Sequence, residues 1–390
     1  MALAERVGFE PTIRFWRILT FQASAFDHSA TAPHCSGSAR PSGATKLPQG
    51  TTCLAQGTKG WHKRGMKHTA AFAAIALLAA PLVAEDKSAA PAPGEIVAAA
   101  PAADWTAIPA SDLLIMDLAA DAKAKPRRVV IQLMLPRYSA GWIGNIRILA
   151  AAHWWDGTSV NRVQDNYVVQ WGDASEKKAL PSGLASLPES AYMSRGMPVG
   201  APVKTAGTVT VSDALAWLKA NSRAPSSTPV LTDIYAPHTS FWQGWPLAFD
   251  SKNSWPVHCY GMVGVGRDLP PNTGTGAELY TVIGHAPRHL DRNIALVGRV
   301  IEGIEHLSAL PRGTGALGFY ETPEERVPIR AVRLGNDVKE LPRYEYLSTE
   351  SASFAAYADA RANRRDPFFI RPAGGADICN IPVPVRRVKL

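Results

Sequence analysis

The stretch VNRVQDNYVVQWGD, Val160 to Asp173, decides how this chain is read. Val163, Tyr167 and Val169 alternate with the polar Arg162, Gln164, Asn166 and Gln170, the two-residue period of a strand. Asp165-Asn166 allows for a turn within the stretch. Side chains on a strand alternate between its faces, which places Arg162, Val168 and Gln170 on one side of a sheet. An arginine, an aromatic, an aliphatic side chain and a glutamine then converge on one patch. That mixture suits a site better than a core.

The same residues resemble the signature of the cyclophilin family of peptidyl-prolyl cis-trans isomerases, F-H-R, four residues, then F-M-x-Q-G-G-D. Arg162 stands at the family's arginine, Tyr167-Val168 at Phe-Met, Gln170 at the glutamine and Gly172-Asp173 at the closing Gly-Asp. Asn161 replaces the histidine and Trp171 the first glycine. Further segments follow in the family's order. Trp142 to Trp155 reads as a helix, because Ile143, Ile146, Leu149 and Ala150 recur at helical spacing, and its Asn145-Ile146-Arg147 stands where the family has Asn-Phe/Ile-Arg. HCYGMVGV, His258 to Val265, reads as a strand, with Val265-Gly266-Arg267 at the family's Met-Ala-Asn/Arg. Ala277-Glu278-Leu279-Tyr280 stands at Ser-Gln-Phe-Phe, and a strand Tyr280–Ile283 follows. Downstream, Leu290-Asp291, Gly298, Val300 and Gly303 match, whereas His289 stands where many members have tryptophan and Ile294 where many have histidine.

The resemblance implies a mainly β fold: a closed antiparallel barrel capped by two helices, over residues 104–335. Leu113–Leu118, Val129–Leu135 and Ile329–Leu334 supply further strands, and Ile301, Ile304 and Leu307 give the second helix an apolar face. Residues 174–255 form an insertion, in which Ser212 to Asn221 reads as a helix with Ser212 as N-cap. Its end is crowded with Phe241, Trp242, Trp245, Phe249 and Trp255, so it is expected to pack on the body. Residues 336–390 are a C-terminal extension with a helical stretch, Ser351 to Arg364.

The implied activity is peptidyl-prolyl isomerisation. The amide barrier is roughly 18–20 kcal/mol, and lowering it needs no nucleophile, metal or proton transfer. A donor to the prolyl nitrogen and a dry apolar seat for the ring suffice. Arg162, at the rim of such a hollow, and Gln170 are the expected catalytic pair. Tyr167, Val168, Gly266, Tyr280, His289 and Leu290 are the expected substrate contacts. No cofactor and no metal is called for: His285 and His289 have helical spacing but sit in a loop without a third ligand. GMVGVG at Gly261–Gly266 opens no helix, so it is not a dinucleotide loop, and no nucleophile elbow is present. The other class to weigh is a non-catalytic cyclophilin-like peptide-binding module or holdase chaperone, suggested by Val168, His289, Ile294 and the insertion.

The 390 residues carry a net charge of +8, but unevenly. Residues 1–65 hold eight Lys/Arg against three Asp/Glu, while from Glu85 onward 32 face 30. The excess lies in the front segment, which removes support for a nucleic-acid role. Residues 1–65 show no sustained period and read as a disordered, over-extended reading frame. Met66-Lys67-His68, the apolar run Thr69 to Ala80 and the small residues ending at Ala84 have the layout of a secretory signal peptide, residues 66–84. That run is too short to span a bilayer. Residues 85–103, rich in Ala and Pro, read as a disordered linker. The mature chain is therefore expected in the periplasm, acting on proline-containing polypeptides without stable membrane insertion. Its oligomeric state is not legible. Cys259 and Cys379 are an even pair in an oxidising compartment, which suggests one disulfide; two free thiols are the other possibility.

Overall fold

The computed structural model describes residues 90–196 and 233–388. The chain enters through helix α1 (Pro93–Ala99) and strand β1 (Trp105–Ile108), then forms β2 (Leu113–Leu118) and β3 (Arg127–Leu133). Helix α2 (Ala140–Ala151) leads to β4 (Ser159–Val163) and β5 (Val168–Gly172). The insertion contributes β6 (Ser194–Arg195), β7 (His238–Trp242), β8 (Trp245–Phe249) and β9 (Asn253–Pro256). Then come β10 (Met262–Val265), β11 (Leu279–Val282), β12 (Leu296–Glu302), the single-turn helix α3 (Glu305–Ser308) and β13 (Val327–Leu334). The chain ends with β14 (Tyr344–Leu347), helix α4 (Ala352–Ala362) and β15 (Val385–Arg387).

Eight strands close into a barrel in the order β10-β11-β5-β4-β13-β2-β3-β12. Every pairing in it is antiparallel, and closure leaves no free edge. Alternation sorts its side chains as expected. Val163, Val169, Trp171 and Leu279 join the main core, together with Trp142, Ile146 and Leu149 of α2. Val168, Tyr280 and Val282 face the other way, into a separate small cluster. Arg162 and Gln170 are Cα partners across β4 and β5, so the predicted common face exists. Asn166 turns the chain between the two strands at a φ of 49°, in the left-handed region that asparagine tolerates.

The insertion folds its described part into a four-stranded sheet, β6-β9-β8-β7. Phe241, Trp245, Leu247 and Trp255 lie in the same core as the barrel's Trp155, because large aromatics left in water would forfeit their hydrophobic gain. The C-terminal extension is built in as well: β14 pairs with both β1 and β15, and Phe354 of α4 meets Phe241 edge-on at 5.0 Å. Cys259 and Cys379 form a disulfide that ties this extension to the approach of β10.

The structure corrects several expectations. Residues 93–99, inside the linker expected to be disordered, are helical. Glu95 accepts the N–H of Ala92 at 2.8 Å, Pro93 occupies the first turn, and Ile96 and Val97 pack against the core. Composition alone could not show that partner surface. Trp154 and Trp155 lie beyond α2, in turns. The strand read over His258–Val265 begins only at Met262, since Gly261 takes a φ of 80°. Ile301 belongs to β12 rather than to α3. The segments 1–65 and 66–84 and the helix read at Ser212–Asn221 fall outside the described residues.

Candidate active site

The site is built on the outer face of β4, β5, β10 and β11. Arg162 is wholly buried, so it does not sit at the rim of a hollow as expected. Its Nε donates to the backbone carbonyl of Leu317 at 2.8 Å, its Nη1 to Gln170 Oε1 at 3.3 Å, and its Nη2 to Gln164 Oε1. The guanidinium lies 5.2 Å from the Phe319 ring and 5.7 Å from the Tyr167 ring, close enough for cation–π attraction. Burial lowers its pKa to about 10, with Tyr167 working the other way, so it keeps its charge at neutral pH. The same burial pushes the Tyr167 hydroxyl up to about 12. Leu317 holds a φ of 60°, a left-handed turn that aims its carbonyl at Arg162.

Beside this group lies the apolar patch. Val168, Tyr280, Val282, Leu290 and Ile294 pack together, with Tyr167 against them. The register explains the grouping: Tyr280 pairs with Gln170 and Val282 with Val168 across β11 and β5. The Tyr280 ring lies across Gly264, where an added Cβ would overlap it, so the strand needs glycine there. Leu290 comes from a short 3-10 turn, Arg288–Leu290, whose exposed His289 stacks on Tyr167 with centroids 6.4 Å apart and planes 12° from parallel. Tyr167 and His289 thus form one wall of the patch.

Next to Gln170 a cavity of about 360 Å³ opens, lined by Gly266, Glu278, Asn272 and Thr275 among others. Helix α2 frames it. Trp142 Nε1 donates to the Gly274 carbonyl at 3.0 Å, Asn145 Nδ2 to the Thr275 carbonyl at 2.9 Å, and Trp155 Nε1, just past the helix, to the Ala277 carbonyl at 2.8 Å. The Gly266 N–H donates to the Glu278 carbonyl at 2.9 Å. Burial raises the Glu278 carboxyl to about 8, while hydrogen bonds from Gln170 and Asn161 pull it partly back. That carboxyl lies so close over Gly172 that a Cβ there would overlap it.

All eight candidate residues, Arg162, Gln170, Tyr167, Val168, Gly266, Tyr280, His289 and Leu290, therefore border one continuous region. Sequence reasoning missed Gln164, Leu317 and Phe319 around Arg162, and missed the neighbours of Tyr280. Gln164 was visible in the opening stretch as a polar residue of the same parity as Arg162. Leu317 lies 155 residues from Arg162 in sequence, Phe319 close by it, and nothing local marks either. The backbone N–H of His285 donates to Asn166 Oδ1 at 2.8 Å. Among the described residues no three His, Cys, Asp or Glu side chains gather in a way that could hold a metal.

A closed antiparallel barrel of eight strands defines a class of fold. The chain belongs to the cyclophilin family: residues 130–334 match the model described as "Cyclophilin type peptidyl-prolyl cis-trans isomerase/CLD". It is thus a peptidyl-prolyl isomerase, of a family that binds proline-containing peptides. Among solved structures it is similar to the cyclophilin AquaCyp293 from Hirschia baltica, at 19% identity over 73% of this chain and 94% of that one, with a TM-score of 0.50. A Cryptosporidium parvum cyclophilin-type isomerase, solved in the presence of the dipeptide Ala-Pro, shows 9% identity over 56% of this chain and 98% of that one, with a TM-score of 0.30. No curated protein matches the sequence.

Proposed function

We propose that the chain isomerises X-Pro bonds in exported polypeptides, with Arg162 as the catalytic donor. The carrying observation is that Arg162, Gln170, Tyr167 and Tyr280 lie on one face, with a guanidinium held beside an apolar patch. The prolyl nitrogen becomes pyramidal as conjugation breaks, and a preorganised donor stabilises it at that moment. Low dielectric around the guanidinium strengthens the effect. Tyr167, Val168, Tyr280 and Leu290 seat the ring, His289 stacks at the wall, and Gln170 with the backbone at Gly266 holds the flanking peptide groups. Gln164 accepts one Nη2 hydrogen and so competes with the substrate for the guanidinium.

Support for an oxidising compartment comes from the Cys259–Cys379 disulfide. Together with the leader at 66–84 it favours the periplasm and proline-containing clients there. Mass spectrometry of the native N-terminus tests the export reading: Glu85 is the expected first residue, and a peptide from residues 1–60 would defeat it.

The activity test compares wild type with Arg162→Ala on a proline tetrapeptide. Loss of one preorganised donor should lower kcat/KM by about 100-fold. Arg162→Lys should recover only part, because an ammonium lacks the guanidinium fork. Equal rates for wild type and Arg162→Ala would end the assignment of Arg162.

A further inference from the structure

Under the apolar patch runs a chain of buried polar groups that the isomerisation chemistry above leaves unused. The Tyr280 hydroxyl meets His258 Nε2 at 2.8 Å. His258 Nδ1 meets Asp291 Oδ1 at 2.8 Å, and the same oxygen accepts the His258 backbone N–H at 2.9 Å. Asp291 Oδ2 accepts from Arg288 Nε at 2.6 Å, and Arg288 Nη1 donates to Asp233 Oδ2 at 2.7 Å. Asp377 lies 3.8 Å from that same Nη1. His258 is completely buried, and Tyr280, Arg288 and Asp291 nearly so.

We infer that His258 and Asp291 are positioning residues of the isomerase site, fixing the Tyr280 ring as the floor on which the proline sits. The inference rests on reading the patch as the proline site. A carboxylate only accepts, so Nδ1 of His258 carries its proton toward Asp291. With the imidazole neutral, Nε2 is then the acceptor and the tyrosine hydroxyl donates to it. A phenol buried this deeply has to keep a partner or be destabilised. The Tyr280 ring so held lies against Gly264, within 10° of parallel to the His258 ring at a centroid distance of 6.3 Å. Asp291 fixes the histidine at both its backbone and its ring, and Arg288 fixes Asp291. Asp233 belongs to the insertion. Asp377 lies two residues from Cys379, whose disulfide partner Cys259 follows His258 directly. The insertion and the C-terminal extension therefore both bear on the floor of the patch.

The test is a double-mutant comparison of His258→Leu, Tyr280→Phe and the two combined. Each is assayed for kcat and KM on a proline tetrapeptide and for peptide Kd by chemical-shift titration, with the unfolding midpoint recorded alongside. His258→Leu alone strands the hydroxyl and should lower kcat/KM about tenfold, mostly through KM, with Kd rising in step. In the Tyr280→Phe background no hydroxyl needs a partner, so adding His258→Leu should cost about twofold or less. His258→Gln keeps an acceptor and should stay within about threefold of wild type; it also serves if the leucine variant does not fold. Unchanged kcat/KM and Kd in folded His258→Leu would overturn the inference. So would an equal loss with and without Tyr280→Phe, which would mean the effect bypasses the hydroxyl. Arg162→Ala run in parallel separates the two proposals. If it matches wild type in rate, the catalytic assignment fails and the positioning role is judged on Kd alone. If wild type binds no proline peptide, the patch is not the site and the positioning role fails with it.

Discussion

Arg162 shows how much a single side chain depends on its surroundings. Its spacing to Gln170 and Tyr167 was legible in the opening stretch, because strand parity is a local property. Its burial was not, since Leu317 and Phe319 arrive from a distant loop. Gln164 competes for the same guanidinium, so Gln164→Ala should lower KM about two- to threefold while leaving kcat within about twofold, the scale of one exchangeable hydrogen bond. Steady-state kinetics decides it; a rise in KM would mean that Gln164 instead holds the arginine in its working pose. Glu278 carries a pH prediction. Its folded pKa of about 8 lies above the ordinary 4.5 because the carboxyl is buried. Between those values the unfolded chain is ionised and the folded chain keeps its proton, so the folded state binds more protons and stability falls as pH rises. The contribution is whole below about 4.5 and gone above about 8, with a slope of at most ~1.4 kcal/mol per pH unit. Thermal melts across that window should show a decline that Glu278→Gln flattens; identical profiles would contradict the assignment.

Among the elements, the β4–β5 hairpin is the one the sequence specified best. Alternation, the Asp165-Asn166 turn and the Arg162–Gln170 pairing all follow from period-two patterning and turn chemistry. Other elements obeyed forces that a local pattern does not carry. Helix α1 forms in an Ala/Pro stretch because α4 and the core offer its Ile96 and Val97 a surface. The run Ile301–Leu307 has helical spacing, yet Ile301 stays in β12, where pairing of β12 with β3 continues to Glu302. The disulfide joins two segments 120 residues apart, and closing so long a loop restricts the unfolded chain strongly. Replacing both Cys259 and Cys379 by serine should therefore cost about 2–4 kcal/mol of stability, read by denaturant unfolding under non-reducing conditions. A loss well under about 1 kcal/mol would show that β14, β15 and α4 hold the extension without the bridge.

At the scale of the whole molecule, the extension and the insertion are parts of one folded unit rather than attachments to a barrel. All described residues fall within it. β14 pairs with β1 at the front of the described chain, and Phe354 of α4 packs on Phe241 of the insertion. Truncation after Leu334 would uncover Trp105, Phe241 and the Cys259 region at once, and should abolish cooperative unfolding rather than lower its midpoint. Circular dichroism melts and limited proteolysis check this; a truncated chain that melts like the whole one would show the barrel to be self-sufficient. By itself the sequence indicated most of the barrel strands, the facing of Arg162 and Gln170, and the candidates Tyr167, Val168, Gly266, Tyr280, His289 and Leu290, because these follow from short-range alternation and from motif order. Only the tertiary structure decided that Arg162 is covered, that Tyr280 hangs from His258 and Asp291, and that two flanking segments brace the site. Those contacts join residues far apart in the chain, and their energy comes from burying and satisfying groups that no local pattern pairs.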